Sequence, residues 1–176
     1  MIRVVISRTV EILTAALLFL LQITWFKGLE IASVSPNLLI IFIASIGVLR
    51  GSREGMIIGF ISGLFVDIYF AELIGFYALM YMFIGYFIGL FKRIFFAEDI
   101  KLPLILVMLG NALFNVAVYV FKFMLKGDLS FPYYVMNLIL PEVMYTFIVA
   151  LFLLPIIIKV NNLLEEYEKK GASKFG

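Results

Sequence analysis

The chain has 176 residues, of which 64% are hydrophobic and 15% charged, and its mean hydropathy is +1.13. A soluble domain of this length would be nearer half apolar and could bury only part of its surface, so the composition excludes an ordinary soluble protein. The net charge of +2 does not indicate nucleic-acid binding, and the absence of cysteine and histidine removes thiolate chemistry together with the commonest general base and metal ligand.

Six apolar segments are near the length that a helix needs to cross a bilayer core of about 30 Å. We therefore predict an all-α integral membrane protein: a compact bundle of six transmembrane helices over residues 1–160, followed by a short cytoplasmic tail over residues 161–176. The predicted spans are, in chain order, Val10–Phe26, Ile31–Leu49, Gly55–Phe70, Ile74–Phe91, Leu102–Leu125 and Tyr133–Ile158.

The first two segments leave alternatives open. Arg3 and Arg8 ahead of an apolar run resemble a signal peptide, but no small-residue cleavage site follows, so we expect a retained anchor. Pro36 and Asn37 break the second segment, because proline suits a first helical turn and the residue before it avoids helix. The second helix would then keep only about 13 core residues. Five spans, or a re-entrant second segment, are the alternatives to six.

The third and fourth segments carry glycines at four-residue spacing. On a helix this spacing forms one stripe of small side chains, which lets a neighbouring helix approach closely in lipid. Packing within the bundle is the simpler interpretation of the stripe, and a partner-binding face is the alternative. The glycines are Gly51, Gly55, Gly59, Gly63, Gly85 and Gly89.

Four of the polar residues inside the predicted spans stand out: Asp67 in the third, Asn111 and Asn115 in the fifth and Glu142 in the sixth. At 1.5 Å per residue, Asp67, Asn115 and Glu142 fall at similar depth, in the middle or outer half of the membrane. Embedded acids are rare and usually face the protein interior. We predict one intramembrane polar cluster, in which a protonated carboxyl bonded to amides holds the helices together. An outward-facing pocket or partner contact, or an interfacial Asp67, is the alternative.

Basic residues are divided unevenly between the predicted loops, which predicts that both termini face the cytoplasm. The cytoplasmic side would hold Arg3, Arg8, Arg50, Arg53, Lys92, Arg93, Lys101, Lys159, Lys169, Lys170 and Lys174. The other side would hold Lys27, Lys122 and Lys126.

The residues do not indicate an enzyme. Two embedded acids without histidine form no recognisable hydrolase or transferase, and the glycines have helical spacing instead of forming a phosphate-binding loop. An active transporter working alone would normally show duplicated broken helices, for which six helices are few. We therefore predict a non-catalytic membrane subunit without cofactor or metal.

One stretch resembles a known family, the rod shape-determining protein MreD. That family reads Pro-x-Leu-Leu, then Gly-Phe-x-x-Gly-Leu-x-x-Asp, then Leu-Gly-x-x-Ala-Leu. The last element departs slightly, because Ile74 separates Leu73 from Gly75. The matching residues are Ser35-Pro36-Asn37-Leu38-Leu39, Gly47, Gly51, Gly59-Phe60-Ile61-Ser62-Gly63-Leu64-Phe65-Val66-Asp67 and Leu73-Ile74-Gly75-Phe76-Tyr77-Ala78-Leu79.

The resemblance implies a non-enzymatic component of the elongasome, the machinery that builds the cell wall, in the bacterial inner membrane. Its implied partners, besides membrane lipids, are an MreC-like single-span protein and, through it, MreB, RodA and a class B penicillin-binding protein. It also implies a fold similar to the substrate-binding subunits of energy-coupling factor transporters. The rival function is therefore a vitamin- or nucleobase-uptake subunit. Those subunits usually carry Ala-x-x-x-Ala on the first helix, whereas here Ala15 and Ala16 are adjacent. A lipid-modifying enzyme is the third hypothesis.

Overall fold

The computed structural model describes residues 2–30, 34–70, 74–94, 100–124 and 130–172, and side chains within these ranges from residue 5 to residue 167. The described chain is helical and contains no strand. A 3₁₀ helix, Leu90–Ile94, extends α4, and a π-helix, Val135–Ile139, joins α6 to α7. The helices are α1 Ile2–Gly28, α2 Leu38–Arg50, α3 Ser52–Phe70, α4 Phe76–Gly89, α5 Lys101–Lys122, α6 Phe131–Tyr134 and α7 Leu140–Ala172.

Four described stretches of helix are long and apolar enough to cross a membrane: Val5–Gly28, Phe76–Ile94, Lys101–Lys122 and Phe131–Tyr167. The 13 residues of α2 span only about 20 Å, less than a bilayer core. The predicted all-helical fold is confirmed, with four candidate membrane spans, and the count of six crossings stays a prediction.

Several sequence predictions concern residues outside the described ranges. They are the start of the second span at residues 31–33, Leu73 of the family motif, Leu125 at the end of the fifth span, and the charges of Lys126 and Lys174. The structure does describe the predicted break at Pro36 and Asn37: α2 begins directly after it, at Leu38.

The centre of the molecule is α2. Every residue from Leu38 to Leu49 is buried, and α2 contacts α1, α3, α4, α5 and α7. Its sequence explains this position, because a helix that is apolar on all sides has no face that prefers water. Gly51 ends α2 with a φ of +105°, a conformation that glycine adopts without a steric penalty, and α3 follows at once.

Polar contacts define the two ends of the bundle. Arg50, the last residue of α2, contacts Glu11 of α1 at 2.8 Å and Asn161 of α7 at 2.6 Å. We call this the terminal end, because α1 begins and α7 ends on this side. At the opposite or distal end, Lys122 of α5 donates a hydrogen bond of 2.8 Å to the Tyr77 hydroxyl near the start of α4. Successive long helices therefore run between the same two ends in alternating directions.

Candidate functional site

The glycines of α3 face α4 at backbone contact. A Cβ on Gly55 would lie 2.5 Å from the carbonyl oxygen of Gly85, closer than real Cβ atoms approach. A Cβ on Gly59, Gly63 or Gly89 would likewise overlap backbone of the facing helix. Only a hydrogen fits at these positions, so α3 and α4 form a closely packed antiparallel pair. In order along the pair, the contacts are Gly89 with Ser52, Gly85 with Gly55, Tyr81 with Gly59, and Ala78 with Gly63.

The central helix joins this pair through one more glycine. A Cβ on Gly47 of α2 would lie 3.1 Å from the Gly85 oxygen and 3.2 Å from the Gly89 nitrogen. Gly51, the first member of the predicted stripe, lies at the α2–α3 junction and faces the Lys92 side chain. The stripe is therefore covered by α4 and its 3₁₀ extension within the chain.

Asp67 closes the α3–α4 pair at the distal end. Its Oδ2 accepts hydrogen bonds from the backbone N–H groups of Gly75 at 3.0 Å and Ala78 at 2.9 Å, and its Oδ1 accepts one from Tyr77 at 2.9 Å. The first N–H groups of a helix have no partner in the helix itself, and the positive end of its dipole favours an acceptor there. Asp67, which is 2% exposed, thus caps the first turn of α4 from a different helix.

The other three members of the predicted cluster lie together, apart from Asp67. The Asn115 side-chain amide donates to Glu142 Oε1 at 3.0 Å and to Asn111 Oδ1 at 3.3 Å. The Asn111 amide donates to the hydroxyl oxygen of Thr146 at 3.1 Å. These bonds join α5 to α7. The described hydrogen bonds of Asp67 all go to backbone at the start of α4, and none reaches these three side chains.

The same chain of bonds continues into the start of α2. The Asn37 N–H donates to Thr146 Oγ1 at 3.0 Å, and Asn37 Oδ1 accepts from the Tyr81 hydroxyl at 3.1 Å and from the Ile40 N–H at 3.1 Å. The side-chain oxygen of Gln22 in α1 accepts from the N–H groups of Leu38 and Leu39, the first two residues of α2, at 3.0 and 3.4 Å. The buried start of α2 is therefore satisfied by side chains of α1 and α7 together with its own cap, as a medium without water requires. We call this set, Gln22, Asn37, Tyr81, Asn111, Asn115, Glu142 and Thr146, the central polar network.

A second polar group lies at the terminal end. Glu11 and Arg50 form an ion pair in which the side chains are 2% and 11% exposed. Arg50 Nε also donates to Asn161, whose amide donates to Glu165 at 3.1 Å. Breaking a buried ion pair is costly because the remaining charge has lost its partner. This group therefore fixes α1, α2 and α7 relative to one another.

In the part of the chain that the structure describes, these groups connect helices of the bundle. That part contains no group of three or more residues able to hold a metal ion. The central polar network consists of amides, hydroxyls and one carboxyl, each bonded to another helix. Its hydrogen bonds cross-link the helices of the bundle.

Sequence reasoning did not single out Glu11, Gln22, Tyr81 or Thr146. A signal was available, because Glu11, Gln22 and Thr146 are polar residues inside apolar spans, and such residues usually face the protein interior. No such signal existed for Tyr81, since tyrosine is common throughout the chain. The contact that joins Asn37 to Thr146 crosses 109 positions of sequence, which one sequence alone does not reveal.

Comparison with known protein families matches residues 3–164 to the family described as rod shape-determining protein MreD. The match covers most of the 176-residue chain, from the first turn of α1 to beyond Asn161 of α7. No curated protein and no solved structure matches the chain.

Proposed function

The chain belongs to the MreD family, so it is a rod shape-determining membrane protein, and we propose that it acts as a non-catalytic scaffold subunit of the cell-wall elongation complex. The observation that supports a scaffold is the use of its intramembrane polar groups. Asp67 and the central polar network are bonded to other helices of the same chain. The bundle is thereby fixed in shape, which suits a protein that holds partners in place.

We propose that the chain crosses the bilayer six times as one domain over residues 1–160. The alternating direction of the helices between the terminal and distal ends supports an even number of crossings. Because α2 is enclosed by five helices, it does not need the length of a lipid-facing span. The cytoplasmic tail over residues 161–176 begins as a continuation of α7, which runs without a break to Ala172. A fold similar to the substrate-binding subunits of energy-coupling factor transporters stays an expectation from the resemblance.

The proposed orientation places the terminal end in the cytoplasm. The chain contains no cysteine, so single cysteines report accessibility without background. Gly28→Cys lies at the distal end and Glu166→Cys at the terminal end, and both positions are exposed. A membrane-impermeant maleimide added to intact cells should label Gly28→Cys alone, and both variants should react after lysis. Labelling of Glu166→Cys in intact cells would show that the terminal end faces the outside, opposite to the proposed orientation.

For the partners, we propose that an MreC-like single-span protein binds the lipid-facing surface and connects the chain to MreB, RodA and a class B penicillin-binding protein. The test is co-expression with the MreC-like protein of the same organism and purification in mild detergent. An unrelated single-span protein at the same expression level is the control. Recovery of the MreC-like protein at a fixed stoichiometry, with the control lost, is the expected result. Equal recovery of both proteins, or a stoichiometric bound vitamin or nucleobase, would contradict the scaffold and in the second case favour an uptake subunit.

A further inference from the structure

A narrow apolar groove runs between α1 and α7 at the terminal end of the bundle. Its cavity volume is about 260 Å³. Its walls are formed by side chains of α1 and α7, and its floor by Phe42 and Ile46 of the central helix. Phe42 and Ile46 are 3% and 2% exposed, so the groove reaches α2 without leaving these side chains open to the surroundings.

The length of the groove matches one leaflet of a bilayer. Along α1 it extends from Val10 to Leu21, and along α7 from Leu153 to Leu164. At 1.5 Å per residue each of these walls is about 16 Å long. Half of a hydrocarbon core of about 30 Å is about 15 Å. The groove therefore covers the leaflet next to the terminal end and stops near the middle of the membrane.

The size of the groove excludes a helix. A helix with its side chains is about 10–12 Å across and would occupy roughly 1,300–1,800 Å³ over a length of about 16 Å. The groove has a volume of about 260 Å³ over that length. It therefore takes a thin occupant, such as a single methylene chain.

The polar groups of the groove lie at one end. Apart from Thr14, whose hydroxyl donates to the Val10 carbonyl of its own helix at 2.8 Å, the polar lining residues are Glu11 and Asn161 at the terminal end. Two exposed basic side chains belong to the same end without lining the groove: Arg8, which is paired with Glu54 at 2.6 Å, and Lys159. An apolar slot whose polar lining lies at one end has the polarity of a phospholipid.

We propose that the α1–α7 groove is a binding site for one acyl chain of a phospholipid from the leaflet at the terminal end. The chain lies along Phe42 and Ile46, and the headgroup remains at the mouth near Arg8 and Lys159. The bound chain completes the packing between α1 and α7, because an unfilled groove would leave its lining without contact atoms on one side. This site does not depend on the scaffold function or on its partners.

A second groove, between α4 and α5, provides an internal comparison. Its volume is about 400 Å³, and its lining, which includes Phe87 and Leu113, contains no polar side chain. It therefore lacks the polar end that would hold a headgroup in one position. A bound lipid should be specific to the α1–α7 groove, whereas the lipid shell that surrounds any membrane protein would occupy both.

The experiment uses the full chain in nanodiscs of phosphatidylethanolamine and phosphatidylglycerol. The probe is a phosphatidylglycerol with a diazirine on its acyl chain, and photoadducts are mapped by mass spectrometry. Thr14→Phe fills the groove, and Leu13→Phe, at a neighbouring position that is 63% exposed outside it, is the matched control. We expect adducts on groove residues to exceed those on the α4–α5 lining at least threefold, and Thr14→Phe to lower them at least threefold while Leu13→Phe does not.

Two results would overturn the site. One is an equal density of adducts on both grooves of the wild-type protein. The other is an adduct yield in folded Thr14→Phe that equals that of Leu13→Phe. If Thr14→Phe does not fold, Val160→Phe fills the groove from the α7 wall and takes its place. The comparison of the two grooves in the wild-type protein needs no variant.

Discussion

Replacing Asp67 distinguishes two roles of its carboxyl group: an acceptor of backbone N–H groups at the start of α4, and a protonated member of a polar cluster. In the structure its carboxylate accepts three hydrogen bonds from the first turn of α4 and donates none. In a cluster with Asn115 and Glu142, a protonated carboxyl would donate one bond and accept another. An asparagine can imitate the second arrangement, because its amide also donates and accepts. An asparagine cannot imitate the observed cap at the start of α4, because its NH₂ group would face a backbone N–H donor.

The expected magnitudes follow from the number of bonds lost. A hydrogen bond inside a membrane protein contributes about 0.6–1.7 kcal/mol, and a buried amide left without an acceptor costs about 1–3 kcal/mol. Asp67→Ala removes all three acceptor contacts, so we expect a loss of about 3–5 kcal/mol in the free energy of unfolding. Asp67→Asn keeps one oxygen and loses one or two contacts, so we expect a loss of about 1–2 kcal/mol.

The assay is equilibrium unfolding of the purified protein in mixed micelles of increasing SDS fraction, followed by circular dichroism. Glu166→Gln, which removes an exposed carboxylate of α7, is the matched control and should change the free energy of unfolding by less than about 0.5 kcal/mol. Asp67→Asn as stable as wild type would refute the cap and favour a protonated carboxyl. Asp67→Ala within about 0.5 kcal/mol of wild type would refute any structural role.

Three further sets of variants test the packing and polar contacts by the same unfolding measurement. Gly59→Ala should cost about 3 kcal/mol, because its Cβ would overlap α4 backbone, whereas Gly28→Ala, with no atom within 4 Å of its Cβ, should cost less than about 1 kcal/mol. Thr146→Val should cost about 1–2 kcal/mol, since it removes the acceptor of two buried donors. Glu11→Gln and Arg50→Gln should each cost about 3 kcal/mol, and the double variant should cost clearly less than their sum.

The outcomes that would contradict these expectations differ. Equal stability of the two alanine variants would mean that α3 and α4 can separate without penalty. If Thr146→Val leaves the free energy of unfolding unchanged, the start of α2 finds other acceptors. Thr24→Val, exposed on α1, is the control for the change of residue type. Strict additivity of the Glu11 and Arg50 variants would exclude an energetic coupling between the two charges.

The helices and the glycine spacing could be predicted because both are local properties. Apolar length indicates a buried or membrane-embedded helix, and small residues four apart lie on one face of it. The identity of the helix that covers Gly55 and Gly59 is not local, and sequence left a partner-binding face as an alternative. The backbone contacts with Gly85 and Tyr81 place α4 of the same chain there.

The polar cluster was predicted only in part, and the reason is geometric. Counting residues from the membrane surface gives the depth of Asp67 and Asn115 but not the direction in which each side chain points around the bundle. Asp67 points towards the unsatisfied N–H groups at the start of α4, while Asn115 points towards Glu142. The Glu11–Arg50 pair was missed although Glu11 lies inside the first predicted span, because Arg50 is the last residue of α2 and a solvated side chain is the usual expectation for a charge at a helix end.

The position of α2 has a consequence for the biosynthesis of the protein. A nascent chain enters the membrane from its N-terminus, yet the Asn37 N–H finds its acceptor only on Thr146, 109 residues later. A chain truncated at residue 130 should therefore leave the central helix incompletely enclosed, and a lipid-soluble maleimide should reach Ser45→Cys there but not in the full-length protein, where this position is 1% exposed. Equal labelling of both would show that the other helices enclose α2 without α7. Because α7 completes the enclosure of α2, the bundle reaches its final structure only after α7 has been synthesised.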